Sequence, residues 1–124
     1  MRVLVADDES KVCSALRLLL EQELELAVVG EVAGAAELLS QTSLTGPDLL
    51  LLDWELPGLT ASDLVTLRWQ HPHLQIIALS GRPEARAAAL AAGADAFVSK
   101  VSPPGLLLAT IQSLVVRADD PSRP

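Results

Sequence analysis

Leu49-Leu50-Leu51-Leu52-Asp53-Trp54-Glu55-Leu56-Pro57-Gly58 is a leucine run that ends on a carboxylate and breaks at proline and glycine. An apolar run this short, preceded by Gly46-Pro47, reads as a strand covered on both faces, with Asp53 where the strand leaves the sheet. Three other runs end in the same way. Val3-Leu4-Val5-Ala6 is closed by Asp7 and Asp8, Ile76-Ile77-Ala78-Leu79 by Ser80, and Ala96-Phe97-Val98-Ser99 by Lys100. If these strands are parallel, their closing residues share one edge of one sheet, the carboxyl edge where open α/β sheets form their binding crevice.

The rest of the chain alternates accordingly. Strands are expected at 2–7, 26–32, 48–53, 75–80 and 95–99, and helices at 10–24, 34–43, 61–70, 84–92 and 104–117. The fold class is therefore α/β, a single five-stranded parallel sheet flanked by five helices. The unbroken first, third and fourth runs belong in its centre, leaving edge positions for Ala27-Val28-Val29 and Ala96-Phe97-Val98. In the first helix Val12, Leu16, Leu19 and Leu20 recur at helical spacing, and Ser10 is placed to cap its start. The fourth helix is mostly alanine and gains little by burial, which suits a mobile helix or a contact surface. Residues 1–118 form one domain, and 119–124, Asp-Asp-Pro-Ser-Arg-Pro, read as a flexible tail or the start of a linker.

At 124 residues the chain has room for one hydrophobic core. Trp54, Trp69 and Phe97 are its only aromatics and read as packing residues, so the core rests on Leu, Ala and Val. A net charge of −7 and a pI near 4.6 argue against a nucleic-acid surface, which needs clustered lysine and arginine. No apolar stretch approaches a membrane span and Met1 leads straight into a strand, so no membrane contact is expected and the location reads as cytoplasmic. The lone Cys13 leaves no internal disulfide and reads as a small buried packing residue.

Carboxylates that converge at strand ends repel one another unless a cation neutralises them. A small cluster of hard oxygen ligands suits Mg²⁺, and a lysine and a hydroxyl facing the same pocket suit a phosphoryl group beside the metal. Asp53 stands alone on a central strand and is the better nucleophile, while the adjacent Asp7 and Asp8 are better placed to hold the ion. His71 and His73 lack further ligands at metal-binding spacing and read as solvated.

With these residues in place, Met1 to Val116 resembles the receiver domain of bacterial two-component response regulators, the flavodoxin-like or CheY-like fold with strand order 2-1-3-4-5. The resemblance rests on Val-Ala-Asp7-Asp8-Glu9, Leu-Leu-Asp53-Trp-Glu-Leu-Pro57-Gly58, Ala-Leu-Ser80-Gly81, Gly93-Ala-Asp95-Ala-Phe97 and Ser99-Lys100, in that order. It implies that Asp53 is the phosphoacceptor for a sensor histidine kinase. It further implies that Asp7, Asp8, Asp53 and the backbone carbonyl of Glu55 bind Mg²⁺, and that Lys100 pairs with the phosphoryl oxygens. Ser80 and Phe97 would be switch residues, altering the surface made by the fourth helix, fifth strand and fifth helix to control an output, expected to be transcriptional. That surface, or the fifth helix alone, would also serve a homodimer.

Phe97-Val-Ser-Lys100-Val-Ser-Pro and the opening Val-Leu-Val-Ala-Asp-Asp are most similar to receivers of the NarL/LuxR type, which carry a C-terminal helix-turn-helix. No such motif lies in these residues, so DNA contact is expected only through a further domain. Many family members place proline directly after the lysine, whereas Val101 stands here. Glu55 and Arg82 flank the expected pocket, and their pairing across its mouth would obstruct the hydrolytic water and slow autodephosphorylation.

Two other functions fit parts of the pattern. One is a receiver-like interaction module that works without phosphate. The other is a phosphotransferase of the haloacid dehalogenase type, but that family places a second aspartate where Glu55 stands and needs a longer chain. No glycine-rich phosphate loop follows the first strand, which removes nucleotide-binding readings. No catalysis is expected beyond the domain's own phosphorylation and dephosphorylation.

Overall fold

The computed structural model describes residues 1–119; of the tail expected at 119–124, Asp119 belongs to the last helix and residues 120–124 lie outside the described residues. The elements follow in the order β1 (Arg2–Ala6), α1 (Ser10–Glu21), β2 (Ala27–Val32), α2 (Ala35–Thr45), β3 (Leu49–Asp53) and α3 (Ala61–Gln70). Then come β4 (Gln75–Ser80), a 3-10 turn (Pro83–Ala85), α4 (Arg86–Ala91), β5 (Ala96–Ser99) and α5 (Pro104–Asp119). All strand pairs are parallel, in the order β2-β1-β3-β4-β5. β1, β3 and β4 are central, and β2 and β5 form the edges, as the run lengths and hydropathy imply.

Alternation along the strands divides the core into two layers. Leu4, Ala6, Leu50, Leu52, Ile76, Ala78 and Phe97 face one side and meet Leu38 of α2, Leu64 and Leu67 of α3, and Ala89 of α4. Their neighbours Val3, Val5, Leu49, Leu51, Ile77, Leu79 and Val98 face the other, against Cys13 and Leu20 of α1 and Leu107, Ile111 and Leu114 of α5. Both faces of β3 are thus covered, and every one of its residues is buried. This is why it reads as a continuous apolar run.

Several boundaries differ from the sequence expectation for identifiable reasons. α1 stops at Glu21, because Leu20 is its last buried residue while Leu24 is fully exposed and the chain must turn to pair Ala27 with Arg2. Ser10 does not cap the helix. Glu9 holds the cap position in an extended conformation, and its backbone N–H is taken by the Asp7 carboxylate instead. The expected fourth helix divides into the 3-10 turn, with Ala85 buried, and the short α4, with Ala89 buried one turn further on. α2 runs on to Thr45 and closes on Gly46, which adopts φ of +58°, a left-handed conformation that costs glycine little. α5 reaches Asp119, past the end expected at 117.

The register fixes the carboxyl edge. Ala6 lies beside Leu52, Asp53 beside Leu79, and Ser80 beside Ser99. Ladder-like hydrogen bonds continue past the strand ends, from Asp7 N–H to Val32 O, Trp54 N–H to Leu79 O and Lys100 N–H to Ser80 O, at 2.9, 2.7 and 2.8 Å. Asp7, Asp53, Ser80 and Lys100 are therefore held by sheet backbone rather than by free loops.

Candidate functional site: an acidic pocket at the carboxyl edge

The order of strands reverses between β1 and β3, the point where an open parallel sheet forms its crevice. Asp7 and Asp53 flank that point, both almost fully buried, with Asp8 exposed above them. One carboxylate oxygen from each of the three lies within 4.8 Å of the others. Lys100 Nζ enters from the far side of β4, 2.7 Å from Asp7 Oδ2 and 3.1 Å from Asp53 Oδ1.

These neighbours set the protonation balance. Burial raises the Asp53 carboxyl above its ordinary value; the Glu55 backbone N–H and Lys100 oppose that rise, while Asp7 adds to it. Burial works against the Lys100 ammonium, but its hydrogen bonds to Asp7 and Asp53 outweigh that effect and raise its pKa. The pocket thus has one ammonium between two buried carboxylates. A third carboxylate at its mouth completes an acidic cluster able to bind a metal ion.

Not every oxygen of Asp53 is occupied alike. Oδ1 accepts the Glu55 N–H at 3.1 Å and faces Lys100, whereas Oδ2 receives no hydrogen bond from a described residue. Ser80 is fully buried at the end of the neighbouring strand. Its Oγ donates to the Glu55 carboxylate, 2.8 and 3.0 Å from the two oxygens, and accepts the Arg82 N–H at 3.0 Å. Arg82 Nη2 stands 3.6 Å from Glu55 Oε2, so the pairing expected across the mouth is present. The Glu55–Ser80 bond went unforeseen in the sequence, although the adjacency of β3 and β4 places residues just beyond their ends within reach of each other.

Phe97 lies inward, in the layer formed with α2, α3 and α4. After Lys100 the chain turns through Val101 N–H to Ser99 Oγ and Ser102 N–H to Ser99 O, at 3.3 and 3.0 Å. A proline at 101 would lack the first of these donors. Cys13 is buried, as its packing role requires, and burial, Glu31 and Asp7 together push its thiol up to about 11. Trp54 packs against the core, but Trp69 does not and is 85% exposed. In α3 the buried pair Leu64 and Leu67 faces the sheet, which turns Val65 and Trp69 outward. They border an apolar groove of about 330 Å³ between α3 and the end of α4, which none of the acidic residues lines.

A parallel sheet of order 2-1-3-4-5 with its crevice at the strand-order reversal defines the flavodoxin-like class of α/β domain, and here that crevice holds the acidic cluster. Within that class the chain belongs to the response regulator receiver domain family, which it matches over residues 3–112. It is thus a signalling domain of the two-component type.

The chain is 35% identical over 125 residues to the phosphate regulon transcriptional regulatory protein PhoB of Rhizobium meliloti, covering 94% of this chain and 53% of that one. It is 32% identical over 115 residues to the uncharacterized transcriptional regulatory protein YhcZ of Bacillus subtilis, covering 90% of this chain and 54% of that one. The chain therefore spans about half the length of these relatives. Among solved structures, a LuxR-family two-component response regulator from Aurantimonas superposes with a TM-score of 0.84 at 28% identity, covering 94% of this chain and 85% of that one. The isolated receiver of RcsB from Salmonella enterica, solved with the phosphomimetic BeF3⁻, gives 0.83 at 26% identity, with coverage of 93% and 88%.

Proposed function

We propose that this domain, residues 1–118, is a phosphorylation switch in which Asp53 takes a phosphoryl group from the phosphohistidine of a sensor kinase in the cytoplasm. The observation that carries the reading is Lys100 Nζ held between Asp7 Oδ2 and Asp53 Oδ1 in a pocket of three carboxylates. Three hard oxygen donors, one of them from the buried Asp53 carboxyl with its raised pKa, fit a small divalent cation such as Mg²⁺. Asp7, Asp8, Asp53 and the Glu55 carbonyl would hold it. When bound, Mg²⁺ would supply charge neutralisation for the carboxylates and the transferring group.

Asp53 Oδ2, the oxygen without a hydrogen bond from a described residue, attacks phosphorus. The new O–P bond forms as the N–P bond of phosphohistidine breaks, and the electron pair returns to the imidazole nitrogen. Lys100 orients Asp53 before transfer and offers its ammonium to the phosphoryl oxygens afterwards. Ser80 then donates to the phosphoryl group and Phe97 repacks behind it, altering the α4, β5 and α5 face. Leu90, Val101 and Leu106 on or beside that face are exposed apolar side chains, suited to a partner or a second copy. A DNA-binding output would lie in a further domain, as the names of the regulatory relatives suggest.

Intact mass of wild type and Asp53→Asn after incubation with acetyl phosphate, with and without Mg²⁺, tests the reading. One Mg²⁺-dependent phosphoryl adduct on wild type alone is expected. The absence of an adduct while Mg²⁺ binds would overturn it and leave a phosphate-independent interaction module.

A further inference from the structure

Resting on the switch reading above, we propose that Glu55 is a positioning residue for Ser80, an internal acceptor that competes with a phosphoryl group on Asp53 for the one proton of the Ser80 hydroxyl. Its backbone and side chain do different things. The Glu55 N–H binds Asp53 Oδ1, while its carboxylate reaches across to the next strand and accepts from Ser80 Oγ at 2.8 and 3.0 Å. Arg82 closes the ring from both ends, its N–H donating to Ser80 Oγ at 3.0 Å and its guanidinium facing Glu55 Oε2 at 3.6 Å.

A serine hydroxyl has one hydrogen to donate. With the Arg82 N–H already supplying the hydroxyl's acceptor side, Ser80 donates either to Glu55 or to a phosphoryl oxygen. Because Ser80 is fully buried, neither water nor a loose rotamer offers the proton a third acceptor at low cost. The hydrogen bond to Glu55 is to a charged acceptor and is therefore strong. Engaging a phosphoryl group requires breaking it, so Glu55 weakens the coupling between Asp53 chemistry and Ser80 movement. The same carboxylate also repels an incoming phosphoryl group by charge, and the two effects must be separated.

A double-mutant cycle separates them. Fluorine NMR titration with beryllofluoride at saturating Mg²⁺ would measure binding to wild type, Glu55→Ala, Ser80→Ala and the double variant, each first checked for folding by circular dichroism. Charge relief alone would tighten binding equally with or without the serine hydroxyl. Competition for the proton predicts that Glu55→Ala tightens binding more when Ser80 is present, by at least about threefold. Equal effects in the two backgrounds would overturn the proposed competition while leaving the switch reading intact. Absence of any Mg²⁺-dependent bound fluoride signal in all four proteins would overturn the switch reading and the competition with it.

Discussion

Asp7 and Lys100 are 93 residues apart in the chain and meet at 2.7 Å, with Asp53 Oδ1 3.1 Å from the same ammonium. One cation therefore serves two buried carboxylates at the strand-order reversal of the sheet. The geometry depends on β1, β3 and β5 all ending at one edge, so it is a product of parallel topology rather than of local sequence.

Removal of that cation should expose its structural share. Lys100→Met leaves Asp7 and Asp53 buried beside each other without compensation, and should destabilise the protein by about 2–4 kcal/mol in chelator-treated buffer. Saturating Mg²⁺ should recover part of the loss. Urea unfolding with and without Mg²⁺ checks this, and equal stability of variant and wild type without metal would refute it. The pH dependence has a definite sign. Lys100 has a raised pKa, so its contribution is complete below the unfolded value near 10.5 and is lost as pH rises through the folded value.

Asp53 should show the opposite balance to a stabilising carboxylate. Its pKa is raised, chiefly by burial, so its contribution is complete below the unfolded value near 3.8 and is lost as pH rises through the folded one. At neutral pH and without metal the ionised group is a liability. Asp53→Asn should then raise the melting temperature by about 3–5 °C. The gain should shrink as pH falls towards 4 and reverse when Mg²⁺ stabilises only the wild type. Melting curves across pH in chelator and in Mg²⁺ decide the matter.

Much of this site was legible in the sequence because each acid and the lysine directly follow an apolar run, and a parallel sheet brings such endings together. Leu49 to Leu52 announced a strand covered on both faces, and it is one. What the sequence left hidden depends on side-chain direction beyond the strand ends. Glu55 and Arg82 were recognisable as neighbours of the pocket, but the hydrogen bond from Ser80 to Glu55 follows from a register that pairs Asp53 with Leu79. Trp69 departs from the packing role its type suggests because a helix as short as α3 needs few buried residues, and Leu64 and Leu67 already supply its buried face.

The Glu55 and Arg82 pair should lengthen the life of an aspartyl phosphate. Both side chains are substantially exposed, so their pairing contributes little to stability, but an ion pair beside Asp53 would obstruct a hydrolytic water on its way to the phosphoryl group. Glu55→Ala and Arg82→Ala should each speed phosphoryl loss by about threefold or more, because the mouth opens. The decay of the phosphorylated mass after removal of the phosphate donor checks it, and unchanged rates in both variants would defeat the idea.

Cys13 should be inert under native conditions. It is 4% exposed, its Sγ contacts Asp7 O at 3.4 Å, and burial, Glu31 and Asp7 push its pKa from 9.0 up to about 11. Thiolate is the reactive form, so iodoacetamide at pH 8 should label the folded protein far more slowly than the urea-unfolded chain. The sign of the stability effect follows from the same shift. The contribution of the protonated thiol is complete below pH 9, and it is lost as pH rises towards 11 because the unfolded thiol ionises first. Across that window the loss should approach about 2 kcal/mol, superimposed on the loss from Lys100. Cys13→Ala should remove the cysteine part of the alkaline slope while leaving the lysine part. An unchanged slope in Cys13→Ala, or rapid labelling of the native protein, would show that the thiol ionises as an accessible group.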